Sequence, residues 1–454
     1  MSSFNAAVGF DDASTPFDGP PDNPQTFPDV SLWWSPTTGP LEPPAWEAFP
    51  TITIAGQTKG RVRAQDGVQI RRGRSDELGP FEAGTMSLTL DNRDRALDPL
   101  NTASSYYGTL KPNVPVQLRA QWAATEHVLF TGLVDAWPQL QHASQNDLVV
   151  ELACTDLTKV LGPRGFRPYR PFILDTADGQ AGRLDVGNQL NDRKPRRPAE
   201  YSGARVADLL TTAGVDATLQ AVDGGDTRLK ADLPADDTLG DYFDRIVRTE
   251  AGRFYIAKDG TVTFAARHSA ANLTSSATFT DATSSSYRYA DLVLDPLDMS
   301  VVVNEVRRGV DDDLSVTRRS SGSIRRHGLV SDDQTDLLFA DTSEMPYAAG
   351  WWLSRYGEPR ARVKAMTVVP QRAASTLFPF VLAAEVGDRF TVQAQPMDAG
   401  VTVAQTVDVE SVTHEIGAQF WATTFECSLA DTTQYFQLDT ATYGQLDAGN
   451  LLNY

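Results

Sequence analysis

Two stretches far apart in this chain read alike, and that repetition limits its possible folds more than any other feature. The first runs Pro115-Val116-Gln117-Leu118, then Phe130-Thr131-Gly132-Leu133-Val134-Asp135, then Leu148 to Cys154 and Asp156. The second runs Gly387-Asp388-Arg389-Phe390-Thr391-Val392, then Asp408-Val409-Glu410-Ser411-Val412-Thr413, then Trp421 to Cys427 and Asp431. In each, one strand enters, a second carries a small residue before valine, and a third ends at cysteine. Apolar and polar residues alternate as in half-buried strands. The reading is a duplicated β unit, with Cys154 and Cys427 as equivalent, unpaired core residues in separate copies. The competing reading is a chance rhyme between β sequences of similar composition, since one repeat period is a weak signal. Strand pairing distinguishes the two.

The boundaries around these copies follow from punctuation. Residues 1–50 hold ten of the 27 prolines together with Trp33, Trp34 and Trp46. Such a stretch favours an extended arm without ladders, anchored on this chain or a neighbour by its tryptophans. Residues 51–162 form a first β unit of many short strands, a barrel or sandwich. Within it, Val68 and Ile70 open a strand, and Met86, Leu88 and Leu90 alternate with Thr85, Ser87 and Thr89. Asp91, Asn92, Arg93, Asp94 and Arg95 then look too polar to be buried, and Asp98-Pro99 stops the ladder. Residues 163–200 are a Pro/Arg-rich connector carrying Arg164, Arg167, Arg170, Arg193, Lys194, Arg196 and Arg197. Its basic character fits a docking surface for an acidic neighbour, a DNA-facing ring or a solvated loop.

Residues 201–300 read as a small α/β domain. Val206, Leu209, Leu210 and Ala213 keep helical spacing, and Gly214 ends the run. Leu239, Tyr242, Phe243, Ile246 and Val247 make one apolar stripe behind a Thr238 or Asp237 cap. Lys258-Asp259-Gly260 marks a hairpin turn. Residues 301–430 form the second β unit with one helix near Ala348 to Tyr356, and residues 431–454 form a short appendix.

Composition excludes several classes of function. The net charge of −19 argues against general affinity for nucleic acid, which needs Lys and Arg to release counterions. It suits plain solubility, or a surface past which DNA slides without sticking. No stretch approaches the ~20 apolar residues of a membrane span. The start of the chain shows no basic n-region with an apolar h-region, so it reads as lacking a secretion signal and remaining in the cytoplasm. Two cysteines cannot make a disulfide framework and show no zinc spacing. His127, His142, His268, His327 and His414 are scattered, and neither a nucleophile elbow nor a phosphate loop occurs. Asp311-Asp312-Asp313 lacks the spacing of a calcium loop. The expectation is no catalytic residue, no metal and no cofactor.

Wording adds to this reading. Gly73-Arg74-Ser75, Phe81-x-x-Gly84-Thr85, Leu88 through Arg95, Asp98-Pro99-x-Asn101, Tyr106-Tyr107-Gly108 and Pro115-Val116 resemble the N-terminal domain of minor tail proteins of long-tailed phages of actinobacteria. These are similar to the baseplate-hub family, whose members close the tip of the tail tube. The run Gly252-Arg253-Phe254-Tyr255 to Gly260 and Phe264 resembles the α/β domain of hub proteins in contractile tails and related injection machines. Ser323 through Gly328 resembles a strand-end motif of the same family, and Leu438-Asp439 to Leu446-Asp447 its C-terminal ending.

The resemblance implies a mainly β fold with an α+β insertion: two tail-tube-like β-barrel domains plus a small α/β domain. It implies a non-enzymatic structural subunit of a bacteriophage tail tip, assembled in the host cytoplasm and located in the virion. A homotrimer would form a pseudo-sixfold ring that matches a tail-tube hexamer or the distal tail. Other minor tail proteins and the tape measure protein would be its neighbours, and DNA would pass through without specific binding. The expected intersubunit contacts are Trp33, Trp34, Trp46, the Asp91–Arg95 loop and the basic connector. A tail-associated wall hydrolase and a host-glycan-binding adhesin are the alternatives.

Overall fold

A computed structural model describes residues 27–54, 56–75, 77–142, 147–164, 198–231, 238–394 and 403–432. The protein is mainly β, with a large antiparallel sheet, a small α/β unit and further helices. In the first β unit the main strands are β1 (Asp29–Trp34), β2 (Val68–Gly73), β3 (Glu82–Asp91), β4 (Pro115–Trp122), β5 (Thr125–Val134), β6 (Gln139–His142) and β7 (Asp147–Thr155), with shorter strands at Glu47–Ala48, Ile52–Ile54 and Gln57–Lys59. The α/β unit contains α1 (Ser202–Thr212), β8 (Gln220–Val222), α2 (Leu239–Glu250), β9 (Arg253–Ile256) and β10 (Val262–Ala265). The second β unit opens with β11 (Thr278–Thr280) and β12 (Asp291–Asp298). Next comes an insertion of β13 (Glu305–Gly309), β14 (Ser315–Arg319), α3 (Ser321–His327), β15 (Ser331–Gln334) and α4 (Glu344–Tyr356). The unit then resumes with β16 (Arg360–Val368), α5 (Ala374–Ala383), β17 (Arg389–Ala394), β18 (Val403–Gly417) and β19 (Phe420–Leu429).

Strand order settles the repeat. The first unit pairs in the order β2-β3-β7-β5-β4, and the second in the order β12-β16-β19-β18-β17. Sequence order and spatial order permute identically in the two copies. The match extends to single backbone bonds. Asn113 N–H donates to the Val134 carbonyl and Val134 N–H to the Val114 carbonyl; Gly387 and Val409 N–H donate in the same way to the Val409 and Asp388 carbonyls. Asn113 and Gly387 both take positive φ, 64° and 92°, the left-handed turn that admits Asn and Gly most readily. Cys154 lies opposite Val134, and Cys427 opposite Val409. Thr155 donates to Asp135, and Ser428 donates to Glu410, at corresponding places. The cysteines are therefore equivalent, and both are free.

One continuous sheet joins the copies because β18 is long. Its first half pairs with β17, and its second half, Ser411–Ile416, pairs antiparallel with Gly73–Val68 of β2. A single apolar cluster spans both units, from Leu32 and Trp34 through Met86 and Phe130 to Phe390, Trp421 and Phe425.

The α/β unit folds for local reasons. Thr238 and Asp241 form a reciprocal capping box at the start of α2, which satisfies two orphan N–H groups. Leu239, Tyr242, Phe243 and Ile246 on one face are buried, each worth about 2 kcal/mol of removed apolar surface. Phe243 stacks on Phe254 of β9 at 4.4 Å between centroids.

Several expectations need correction. Strands β11 and β12, placed in the α/β domain by sequence, pair with β17 and β16 of the second unit. Their Ser/Thr-rich surroundings hid the alternation. Ser323–Gly328 is not a strand end: it lies in and after helix α3, whose Ser320 cap accepts from the Ser323 N–H. The second unit carries α3 and α5 besides the expected α4. Asp91 and Asn92, expected at the surface, are 2% and 0% exposed. The N-terminal arm, expected to be extended without ladders, is extended where it is described but does enter a ladder, because Val30, Leu32 and Trp34 alternate like a half-buried strand. It adds β1 to the first unit, where Asp29–Trp34 pairs with Gln121–Val116.

Candidate functional site

The seam between the two copies gathers several buried charges. Strand β2 supplies Arg72, and Arg74 follows it; β18 supplies Asp408 and Glu410. Glu410 takes Arg74 Nε at 2.8 Å, Arg253 Nη2 at 3.2 Å and the Ser428 hydroxyl at 2.7 Å. Burial would push its carboxyl up, but Arg253 and Arg74 outweigh that and hold it down at about 2. Asp408 receives a two-pronged bond from Arg389 at 2.6 and 3.1 Å, the fork geometry that suits a buried carboxylate. Arg72 pairs with Glu385. Glu77 accepts from Arg362 at 2.6 Å and from the Tyr356 hydroxyl at 2.9 Å, which brings helix α4 to the same seam. His414 is buried and bonds Thr423 at 2.9 Å; burial, then Arg72 and Lys258, push it down to about 3.

The α/β unit locks this seam with the turn between β9 and β10. Lys258 Nζ donates to the carbonyls of Leu382 and Ala384 at the end of α5, at 3.1 and 3.3 Å, where the helix leaves acceptors without partners. The Lys258 carbonyl accepts from the Thr131 hydroxyl of β5 at 2.8 Å. One turn thus touches both copies. Gly260, at φ +93° and with Thr131 Cγ2 only 2.8 Å from where a Cβ would sit, makes that approach possible.

A cavity of about 210 Å³ opens beside the seam, lined by Arg74, Phe81, Arg248, Arg253, Trp352 and Glu410 among others. Among its cations, Arg248 pairs with Asp336, and both Arg74 and Arg253 pair with Glu410. Among the described residues no group of three or more His, Cys, Asp or Glu could hold a metal ion. The ion pairs and hydrogen bonds of the seam tie β2, β18, β9 and α4 to one another.

The predicted contact residues distribute differently. Trp34 is a core residue packed against Phe49 and Tyr106 at 5.2 and 5.7 Å. Trp33 is half-buried beneath the Arg119 guanidinium at 4.2 Å, and Trp46 is also half-buried. In the Asp91–Arg95 loop, burial opposes ionisation of Asp91, but bonds from Arg93 bring its carboxyl below the ordinary range. Asp94 pairs with Arg61 at 2.7 Å and Arg95 with Asp98 at 2.6 Å. Arg164 bonds the Ala213 carbonyl after α1. Arg167, Arg170, Arg193, Lys194, Arg196 and Arg197 lie outside the described residues. Cys154 is buried and Cys427 half-buried, and desolvation pushes both thiols well up. The Arg/Glu seam went unseen in the sequence. Its one local sign is the Val407-Asp408-Val409-Glu410 alternation, which sets two acids on a strand inside an apolar unit.

No family model matches the sequence, and no curated protein matches it. Among solved structures, the chain is similar to a tail protein from Neisseria meningitidis MC58, with a TM-score of 0.49 and 10% identity over 83% of this chain and 95% of that one. It is also similar to the 43 kDa tail protein of prophage MuSo2 from Shewanella oneidensis, at 0.49 and 9%, over 88% and 96%. A component of the type VI secretion system of E. coli gives 0.39 and 10%, over 84% and 77%.

Proposed function

We propose that this chain is a structural ring subunit at the end of a bacteriophage tail tube. Three copies, each with two equivalent β units, would present six similar sectors. Such a ring mates with a hexameric tube on one face and a threefold tip on the other. It would close the tube against the distal tail or neighbouring minor tail proteins, with the tape measure protein above, and form or gate the exit channel for DNA. The excess of acidic residues suits a lumen that DNA crosses without adhering. The subunit would work through its surfaces, not as an enzyme.

The observation that carries this reading is the duplicated unit, identical in strand order and in the turn at Asn113 and Gly387. A second support is the sequence wording from Gly73 to Pro115. Mass measurement and electron microscopy of the purified protein test it directly. The expected result is a threefold ring with six-sector density. A stable monomer at high concentration, or clearing of host cell walls in a zymogram, would overturn it.

A further inference from the structure

The intrachain seam predicts the seam between chains. Superposing the repeats by their registers carries each edge of one copy onto an edge of the other. Leu152 lies opposite Leu88, and Phe425 opposite Met366. Continuing along β7 and β19, Val150 faces Gln139 where Thr423 faces His414, and Val149 faces Leu140 where Ala422 faces Glu415. Strand β6 thus stands where the second half of β18 stands. Likewise Val68 faces Leu88 where Leu292 faces Met366, so β12 stands where β2 stands, and Val293 follows Leu292 as Gln69 follows Val68.

Within the chain, the second half of β18 pairs with β2, and Glu415 lies opposite Gln69. The counterparts, β6 and β12, have no such partner among the described residues. Strand β12 ends the sheet order, and β6 pairs only with β7. Six strands separate them in the sheet order, and they do not pair with each other among the described residues. Both expose apolar side chains at the matching position: Leu140 is 39% exposed and Val293 54%. The polar intrachain pair is replaced by two hydrophobes facing solvent.

We infer that, in the ring, the β6 edge of one copy pairs antiparallel with the β12 edge of the next, with Leu140 opposite Val293. Gln139 then lies opposite Leu294, and Gln141 opposite Leu292. The ladder is short because Pro138 and Pro296 end it on the same side, and neither can donate to it. This limits the edge to one register and discourages pairing with stray strands. An opposed pair of large apolar residues stabilises such a junction by roughly 0.2–1 kcal/mol beyond the backbone bonds. Leu297 and Met299, 68% and 44% exposed just beyond the ladder, extend the apolar strip.

The inference rests on the ring reading, and one experiment separates the two. Opposed residues of an antiparallel ladder lie about 4.5–5.5 Å apart, within reach of a disulfide. The variants are Leu140→Cys, Val293→Cys, the double variant, and a register-shifted pair, Leu140→Cys with Asp295→Cys. The parent protein, with Cys154 buried and Cys427 half-buried, is oxidised in parallel as the control for cross-links through the native thiols. After mild oxidation, the double variant should run as covalent dimers and trimers on a non-reducing gel; the single variants and the shifted pair should stay monomeric. Val293→Arg should abolish the oligomer in native mass measurement while leaving the unfolding curve of the monomer unchanged. Trimers that form without cross-linking, or that cross-link equally through the shifted pair, overturn the register and leave the ring standing. Absence of any oligomer in the unmodified protein overturns both.

Discussion

Replacing Glu410 by glutamine is the most direct test of what holds the two copies together. The side chain is 3% exposed and lies between two guanidinium groups, Arg74 at 2.8 Å and Arg253 at 3.2 Å. Its carboxyl falls from the ordinary 4.5 to about 2. At about 1.4 kcal/mol per pH unit, that displacement corresponds to about 3 kcal/mol of folded-state stability. Removing one member of a buried ion pair costs about 3–5 kcal/mol, because the partners stay buried without compensation. The two routes agree. A depressed carboxyl contributes fully above its unfolded value and loses that contribution as pH falls through the folded one. Urea unfolding at neutral pH should therefore show Glu410→Gln weaker by about 3 kcal/mol. The gap should narrow between about pH 4.5 and pH 2 and vanish below. Hydrogen exchange should rise first in β2 and the second half of β18. A variant within about 0.5 kcal/mol of the parent at neutral pH, the range of an ordinary surface change, would refute the role given to this seam.

Three other outcomes can be checked quickly. Gly73→Ala should destabilise by more than about 2 kcal/mol in the same urea assay, because φ is +100° and a Cβ would sit 2.1 Å from the Glu410 carbonyl oxygen. Thr238→Ala should cost about 1 kcal/mol through loss of the capping box, and Thr238→Ser should restore most of it. In native protein neither Cys154 nor Cys427 should react with a thiol reagent at neutral pH, whereas both should react in denaturant.

The elements legible in advance were those that local chemistry fixes. The α2 stripe and its Thr238 cap lie within one window, as does the Lys258-Asp259-Gly260 turn. The repeat was legible because alternation and the terminal cysteine survive in both copies. What escaped was set by distance along the chain. Arg72 and Glu385 are 313 positions apart, and Arg74 and Glu410 are 336 apart, so no window shows them as partners. Asp91 differs: its carboxylate is neutralised by Arg93, only two residues on, and what the sequence hid was that folding buries this end of β3. Helix α5 was missed because Pro379 reads as a breaker, although Leu377, Phe378, Val381 and Leu382 around it are buried. Helix α3 had a signal that went unread: Ser320 as cap, Arg325, Arg326 and His327 in the last turn, and Gly328 at φ +84° beyond.

In the proposed ring the two kinds of seam need not use the same chemistry, since they would form at different times. The β2–β18 seam closes as the chain folds, so its charges never have to wait in a half-built state. It can hold Glu410 between two arginines from separate segments. If these edges pair between copies as inferred, β6 and β12 would remain exposed in a folded monomer until another copy arrives. A carboxylate placed there for a neighbour's arginine would have to be desolvated on assembly, which offsets much of the attraction. The chain satisfies those positions internally instead. Asp135, the counterpart of Glu410, takes Lys159 at 2.6 Å and the Thr155 hydroxyl. Asp295 and Asp298 take Lys364 at 3.7 and 3.1 Å. What is left for the neighbour is a short ladder and a few apolar side chains, which lose little by waiting in water and gain when covered. An edge of that composition associates weakly as a single contact and firmly when a ring closes, because the last junction forms within an assembly already held together.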